Sequence, residues 1–160
     1  MSDDRSARTR VDVTTAAEMH SAVMAAAPAS DVFVATAAVA DWRVAEVAGE
    51  KIKKKAGQGV PTFTLVENVD ILAAVAALPE PPFCVGFAAE SGDVLANASA
   101  KRLKKNVPLI VGNLGPATFG QDDNALTLID ARGVRELPRA GKLALARELV
   151  AEIAAHLGTT

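Results

Sequence analysis

Hydrophobic and polar positions follow one another along the chain in a pattern that predicts strands and helices in alternation. Three near-continuous apolar runs, DVFVATAAV, PPFCVGFAAE and PLIVGNLG, are typical of strands buried on both faces of a parallel sheet. Apolar positions at helical spacing lie between these runs. They predict helices over about Ala16–Ala27 behind a Thr15–Glu18 capping box, in NVDILAAVAAL behind an Asn68 cap, over about Val94–Lys105 and over about Gly141–Leu157.

Shorter patterns predict further elements and one long loop. Val11 and Val13 alternate with polar residues as a short strand does, and PTFTLVE alternates in the same way. ALTLIDA and VRELP are separated by Arg132-Gly133, which predicts a hairpin. The stretch from Asp41 to Gly59 fits neither period. It is therefore predicted to be a long loop, a feature that is usually functional or disordered in compact domains.

The alternation of buried strands and helices predicts an α/β protein with a three-layer Rossmann-like open sheet, mainly parallel, followed by the C-terminal hairpin. With 160 residues, the chain is most simply one domain. We expect residues 1–10 to form a flexible tail and residues 11–158 a single α/β domain. Ligands of such sheets bind beyond the carboxyl ends of the strands, where Asp41, Phe87 to Glu90 and Asn113 fall.

Composition and charge narrow the class of protein. Hydrophobic residues make up 50% and charged residues 22%, a globular balance, and the formal charge of -2 disfavours a dedicated nucleic-acid binder. The single cysteine, Cys84, excludes an internal disulfide, while His20 and His156 lack metal-ligand spacing. No apolar run approaches the ~20 residues of a membrane span, and the polar N-terminus has no signal-peptide core. We therefore expect a cytoplasmic protein without membrane partners.

Two lysine clusters are the strongest candidates for binding an anionic ligand. The run from Lys51 to Lys55 reads as a solvated loop when taken alone, but behind a buried strand it could close over phosphates. Asp41, upstream of it, could hold a ribose hydroxyl or a divalent cation, or equally cap a turn. Lys101 and Lys105 share one helix face, where they suit a triphosphate or simply complement the helix dipole.

The remaining chemistry-bearing residues are less informative. Cys84 lies inside an apolar strand pattern and is predicted to be an inert core thiol. Glu90 and Asn113 end strands, where catalysis and turn capping explain them equally well. Trp42 fits either a lid anchor or a core aromatic. The chain contains neither GxGxxG nor a Walker lysine loop, so a dinucleotide or P-loop phosphate site is not supported.

Several segments, taken together and in order, resemble a known family. ATAAVADWR, EKIKKK, NVDIL, VGFAAES, AKRLKKN, IVGN and FGQDDNALTLI follow one another as in phosphopantothenoylcysteine synthetase, the cysteine-ligase half of the bifunctional coenzyme A biosynthesis protein. The resemblance runs from about Val11 to Leu157. It implies CTP-dependent ligation of 4′-phosphopantothenate and L-cysteine through an acyl-cytidylate, with Mg²⁺. It also implies a homodimer, with the ALTLI and VRELP region as candidate interface, and a flavin-dependent decarboxylase domain in the full-length protein.

The resemblance also implies roles for individual residues. Lys51 resembles the mobile-loop lysine that engages the phosphate and the acyl group, and Ala38 belongs to the backbone that lines the same catalytic pocket. Asp41 resembles a nucleotide-binding aspartate that also contacts the metal. The residues implied to bind the nucleotide are Ala35, Thr36, Ala37, Asp41, Lys51, Val69, Asp70, Ile71, Leu72, Phe87, Lys101 and Lys105.

The sequence departs from the family pattern at three places. Val44 and Val69 stand where the family usually has proline. The family domain also begins with a strand, a glycine-rich turn and an asparagine that handles the acyl-cytidylate, and this chain joins the pattern after them. We therefore expect the C-terminal part of the synthetase, without its N-terminal βα units. The alternative function is a truncated nucleotide-binding or dimerisation module without catalytic activity of its own.

Overall fold

The computed structural model describes residues 9–47, 49–50, 53, 59–90, 94–114 and 121–158, with only the backbone at positions 90, 94 and 114. The described helices are α1 (Ala16–Ala26), α2 (Ile71–Ala76), α3 (Val94–Lys105) and α4 (Lys142–Leu157), and a 3₁₀ turn (Ala27–Ala29) follows α1. The described strands are β1 (Val32–Ala35), β2 (Trp42–Val44), β3 (Leu65–Glu67), β4 (Phe83–Glu90), β5 (Leu109–Leu114), β6 (Asp123–Ile129) and β7 (Val134–Gly141).

Five of these strands form one sheet in the order β1-β4-β5-β6-β7. β1, β4 and β5 run parallel, β6 pairs antiparallel with β5, and β7 pairs antiparallel with β6. Four of the five strands therefore point the same way. The β6–β7 connection contains Gly133 at φ 135°, a backbone conformation that favours glycine. The predicted open, mainly parallel α/β sheet with a C-terminal hairpin is confirmed.

Helices cover both faces of this sheet, as the three-layer prediction requires. On one face, α1, α2 and α3 pack over a core that includes Val75, Ala98 and Ile110. On the other face, Leu145 and Leu149 of α4 belong to the core that also contains the strand valines and leucines Val85, Leu109, Val111, Leu126 and Leu128. Successive residues of β4 alternate between the two cores because strand side chains point to opposite faces in turn.

Cys84 lies in the core beneath α1 to α3 and is almost fully buried. Burial raises the pKa of its thiol, because the charged thiolate is poorly solvated there. The thiol is therefore protonated at neutral pH, in agreement with an inert core cysteine.

Local signals at the helix ends were mostly predicted correctly. The Thr15 hydroxyl accepts a hydrogen bond from the Glu18 N–H at 3.1 Å, and the Glu18 carboxylate accepts one from the Thr15 N–H at 3.1 Å, which completes the capping box. Asn106 ends α3 with φ 50°. The cap of α2 was predicted wrongly, since Asp70 and not Asn68 accepts from the third helical N–H, that of Ala73, at 3.0 Å.

Two strand predictions and one loop prediction need correction. Val11 and Val13 lie in irregular chain and are exposed, because no neighbouring strand offers them a ladder among the described residues. β1 covers only the first part of the DVFVATAAV run, and its pairing within the described chain is with β4 alone. The predicted loop from Asp41 contains β2, which pairs with β3 in a separate two-stranded ribbon.

No helix in the described ranges is both long and apolar enough to cross a membrane. The predicted cytoplasmic location and the predicted domain limits at residues 10 and 158 stay predictions.

Candidate functional site

The carboxyl ends of β1, β4 and β5 lie side by side at one edge of the sheet. Ala35 at the end of β1 is opposite Gly86 of β4, and Ala89 of β4 is opposite Asn113 of β5. Beyond β1 the chain continues through Thr36, Ala37 and Ala38, all of them exposed. The predicted pocket-lining backbone is therefore accessible at the edge where open α/β sheets bind ligands.

Asp41 lies just before β2 and is tied to the segment that follows β3. The backbone N–H of Asn68 donates to the Asp41 carbonyl at 2.7 Å, and the Asn68 side-chain amide donates to the Ala40 carbonyl at 2.8 Å. Arg43 donates to the Glu67 carbonyl at 2.7 Å and to the Asn68 side-chain oxygen at 3.1 Å. These contacts bring the DWR and NVDIL segments together, 25 residues apart in sequence between Arg43 and Asn68.

The Asp41 carboxylate is exposed, and within the described parts of the chain it has no ion pair or hydrogen bond of its own. A single carboxylate fits Mg²⁺ as one oxygen ligand among nucleotide phosphates and water, which is the usual coordination of this ion at nucleotides. Within the described residues, the contact made by Asp41 is that of its backbone carbonyl, and both readings of its side chain stay predictions.

Asp70 joins α2 to α3. Its carboxylate caps α2 and also forms an ion pair with the Lys105 ammonium at 2.8 Å. Burial raises the pKa of Asp70. The hydrogen bonds from Lys105 and from the Ala73 N–H together lower it by more, so that its pKa lies below the usual range. Lys105 therefore has a carboxylate partner in the free protein, and an anionic ligand would have to compete for it.

The four residues implied to contact the nucleotide at positions 69–72 lie in different surroundings. Val69 is exposed, whereas the side chains of Ile71 and Leu72 are each only 7% exposed and pack in the core. Leu72 lies over Gly86, where an added Cβ would come within 2.5 Å of its terminal carbon. Only the backbone of Ile71 and Leu72 could therefore meet a ligand.

Phe87 and the lysines do not all gather at one place. Phe87 is half-buried and packs with the core beneath α4, on the face of the sheet opposite to that of Leu72. Lys101 lies exposed on α3, one turn before Lys105. Lys51 falls outside the described residues. The structure thus unites Asp41, the 68–72 segment and Lys105, and separates Phe87 from them by the thickness of the sheet.

A second charged cluster lies at the opposite edge of the main sheet, and the sequence analysis did not predict it. Asp130, Glu152 and His156 place ligand atoms within 4.8 Å of one another, although the spacing of the histidines had indicated no such group. Arg132 pairs with Asp130 and Glu152 and lies 2.6 Å from the His156 ring nitrogen, while Arg135 pairs with Glu152 at 2.6 Å. Because the arginines already neutralise the carboxylates, the cluster is a salt-bridge network that fastens α4 to the hairpin.

Arg43 and Asn68 were also missed as contributors to the site. Both lie in segments that carry the family resemblance, yet neither has a pattern that predicts its contacts. Their hydrogen bonds join residues from two separate strands. The only signal available in the sequence was their presence in the DWR and NVDIL segments.

An open, mainly parallel α/β sheet with exposed residues beyond the carboxyl end of β1 places this chain in the doubly wound class, whose ligands bind at that edge. The chain belongs to the family of the DNA/pantothenate metabolism flavoprotein C-terminal domain, which matches residues 2–157. This confirms the resemblance found in the sequence.

Individual relatives agree with the family. The chain is 47% identical over 141 residues to the coenzyme A biosynthesis bifunctional protein CoaBC of Vibrio cholerae, with 86% of this chain and 35% of the relative covered. It is 47% identical over 149 residues to CoaBC of Escherichia coli K12, with 90% and 37% covered. A crystal structure of the C-terminal domain of CoaBC superposes with a TM-score of 0.76 at 31% identity, covering 95% of this chain and 67% of the other. The chain thus spans little more than a third of the length of these two curated relatives.

Proposed function

We propose that this chain forms the nucleotide-binding part of a CTP-dependent phosphopantothenate–cysteine ligase of coenzyme A biosynthesis. Support comes from the family and from relatives whose names place them in that biosynthesis. The observation that carries the proposal is the hydrogen-bonded assembly of Ala40 and Asp41 with Asn68, together with the exposed residues Thr36 to Ala38 that follow β1. These are the segments through which the sequence resembles the synthetase.

The proposed reaction has two steps. A carboxylate oxygen of 4′-phosphopantothenate attacks the α-phosphorus of CTP, and pyrophosphate leaves to give the acyl-cytidylate. The amine of L-cysteine then attacks the acyl carbon, and CMP leaves as the amide forms and the amine loses its proton. Negative charge builds on phosphate oxygens in the first step, so cationic groups fixed in place should lower that barrier most.

In this proposal the chain's own residues hold and neutralise the nucleotide. The backbone at Ala35 to Ala38 lines the pocket, and Asp41 would hold Mg²⁺, which would supply positive charge to the phosphates of the nucleotide. Lys101 and Lys105 face the triphosphate from α3, with Lys105 leaving Asp70 as the phosphate arrives. Lys51 engages the phosphate and acyl group in the transition state. Phe87 lies on the face of the sheet that α4 covers, opposite to Leu72. The cytosine would therefore contact Phe87 only if the nucleotide extends past the end of β4 to that face.

The second candidate is a nucleotide-binding or dimerisation module without catalysis. It is favoured by one observation: the chain covers only 35% and 37% of the length of the two bifunctional relatives. We also propose a homodimer, a flavin-dependent decarboxylase domain in the full-length protein and a cytoplasmic location. These three proposals rest on the sequence.

Calorimetric titration with CTP, ATP, GTP and UTP in the presence of Mg²⁺ tests the nucleotide. We expect CTP to bind most tightly, and equal or tighter binding of ATP would refute the proposed specificity. Single-turnover formation of the acyl-cytidylate from CTP and 4′-phosphopantothenate then separates the two candidates. Turnover by this chain supports the ligase, and CTP binding without turnover supports the module.

Lys51→Gln tests the proposed transition-state role of this lysine in a full-length synthetase carrying the segment. Because the ammonium would meet the phosphate chiefly in the transition state, acyl-cytidylate formation should slow on the order of 10²–10³-fold, while CTP affinity changes much less. Lys54→Gln, three residues further on, is the matched control and should be nearly silent. Equal damage from both substitutions would mean that the lysine run acts only as a diffuse positive field.

A further inference from the structure

Asn68 connects the two halves of the candidate site through three hydrogen bonds. Its backbone N–H and its side-chain amide nitrogen reach the carbonyls of Asp41 and Ala40, at 2.7 and 2.8 Å. Its side-chain oxygen accepts from Arg43 at 3.1 Å, and Arg43 also holds the Glu67 carbonyl at 2.7 Å. We refer to Asn68 and Arg43, with these contacts, as the Asn68 brace.

The brace occupies a place where the backbone would otherwise be weakly determined. β2 and β3 have three residues each and form a two-stranded ribbon that is not part of the main sheet. A two-stranded ribbon of this kind is at most marginally stable in water. The bond from the Asn68 N–H to Asp41 continues the ladder by one step, and the side-chain bond to Ala40 continues it by another.

The position of the brace relates directly to the ligand-contacting groups of the proposed function. Asp41, the candidate metal ligand, carries one of the two carbonyls that Asn68 holds. The residue that follows Asn68 begins the 69–72 segment, which continues into the Asp70 cap and the ion pair with Lys105. The backbone and the side chain of Asn68 thus tie the chain at Ala40 and Asp41 to the start of the 69–72 segment.

Both ends of the Asn68 side-chain amide are engaged within the protein, and Arg43 directs one guanidinium nitrogen to two protein acceptors. These atoms are therefore occupied by backbone and side-chain partners in the free protein. A group that is held in this way acts on a ligand through the residues it orients.

We propose that Asn68 and Arg43 are positioning residues that hold Asp41 and the 69–72 backbone at the separation required by a metal–nucleoside triphosphate complex. The proposal rests on the proposed function for the identity of the ligand. Its distinctive consequence is that loss of the brace weakens the coupling between divalent cation and nucleotide. A purely structural role would lower stability and leave that coupling unchanged.

Asn68→Asp is the principal test, because it keeps the side-chain shape and the acceptor for Arg43. It replaces the donor to the Ala40 carbonyl with an oxygen, so two acceptors face each other. Leaving a polar group without its partner typically changes an equilibrium by about tenfold or more. We expect the Kd for CTP at saturating Mn²⁺ to rise about tenfold and the Mn²⁺ concentration for half-maximal CTP binding to rise by a similar factor.

Arg43→Gln is the second test and Arg139→Gln is its matched control. Both arginines are exposed and bind acceptors on a neighbouring strand, but Arg139 pairs with Asp123 on the β6–β7 hairpin, away from the brace. We expect Arg43→Gln to shift the Mn²⁺ midpoint and Arg139→Gln to leave it at the wild-type value. Arg43→Lys, which restores one donor, should recover part of the shift.

Hydrogen exchange at the Asn68 amide and thermal unfolding are measured on the same proteins. Faster exchange at this amide together with the raised Mn²⁺ midpoint supports the proposal. Variants that exchange faster or unfold earlier, yet keep the wild-type Mn²⁺ midpoint, overturn it, because the brace would then be only structural. If Asn68→Asp does not fold, Arg43→Gln decides by the same criterion. Failure of the wild-type chain to bind CTP overturns the proposed function, and with it the ligand site that the brace is proposed to set.

Discussion

One carboxylate, that of Asp70, makes two contacts that can be separated by mutation. One oxygen caps α2 by accepting from the Ala73 N–H, and the other pairs with Lys105. Asn is nearly as good a helix cap as Asp but carries no charge, whereas Ala can neither cap nor pair. Asp70→Asn therefore removes the ion pair alone, and Asp70→Ala removes both contacts.

The structure sets the expected magnitudes. The Asp70 side chain is 47% exposed and that of Lys105 25%, so water screens the pair and its loss should cost about 0.2–1 kcal/mol. Loss of a helix cap adds about 1 kcal/mol. For a chain of this length, 1 kcal/mol lowers Tm by about 2–4 °C. Asp70→Asn should thus lower Tm by about 0.4–4 °C and Asp70→Ala by about 2–8 °C.

Urea unfolding followed by circular dichroism measures both free energies. A double-mutant cycle of Asp70→Asn with Lys105→Met isolates the pair, and we expect a coupling of about 0.2–1 kcal/mol. Thr15→Ala removes the cap of α1 without touching an ion pair of the site, so it calibrates the capping contribution at about 1 kcal/mol.

The same variants predict a dependence on pH. The pKa of Asp70 is held below its ordinary value of 3.8, so its stabilising contribution is complete above that value. The contribution is lost as pH falls from 3.8 through the lower pKa of the folded protein. The difference in unfolding free energy between wild type and Asp70→Asn should therefore be constant near neutral pH and shrink over that acidic window. A difference that persists unchanged below the window, or equal costs for Asn and Ala, would refute this account of the two contacts.

Two further substitutions test packing and electrostatics away from Asp70. Gly86→Ala would place a Cβ 2.5 Å from a terminal carbon of Leu72 and 2.7 Å from one of Ile110, and the expected cost is about 1–3 kcal/mol in urea unfolding. An unchanged stability would show that both side chains move aside freely. Glu152→Gln removes the charge that Arg132 and Arg135 share, at a side chain only 15% exposed, and should cost about 1–3 kcal/mol. Thermal unfolding of wild type and variant at low and at high salt checks this second prediction. Salt that fully screens the network should remove the difference in Tm between the two proteins.

The ion pair between Asp70 and Lys105 bears on the site as well as on stability. A triphosphate that takes Lys105 must first separate it from Asp70, while Lys101 lies one turn earlier on the same helix. CTP affinity should therefore improve when Asp70 is replaced by Asn, if Lys105 contacts the ligand. The proposed CTP titration, repeated with Asp70→Asn, measures this in the same protein whose stability is known.

Much of the secondary structure could be predicted from the sequence because its causes are local. The apolar runs at β4 and β5, the helical periods of α3 and α4 and the Thr15–Glu18 capping box each act within a few residues. The Arg132-Gly133 turn is equally local, since one glycine supplies the positive φ that the hairpin needs. The order of these elements was then enough to indicate an open, mainly parallel sheet with helices on both faces.

Contacts between distant segments were decided by the tertiary structure. β2 has too few residues to be recognised by pattern, and it forms because β3, more than 20 residues later, offers it a ladder. The sequence predicts Asn68 as the cap of α2. In the structure its side-chain amide instead donates to the Ala40 carbonyl and accepts from Arg43, and the Asp70 carboxylate caps α2.

The sequence also determined only part of the candidate site: it indicated which residues lie at the ends of elements, but not which face of the sheet they occupy. The sequence placed Asp41, the 69–72 segment, Phe87 and Lys105 at strand or helix ends. It could not show that Phe87 faces the core beneath α4 while Leu72 lies on the opposite side of the same sheet. The side of a sheet that a residue faces depends on strand register, which is set by pairing with neighbours and by the helices that cover each face.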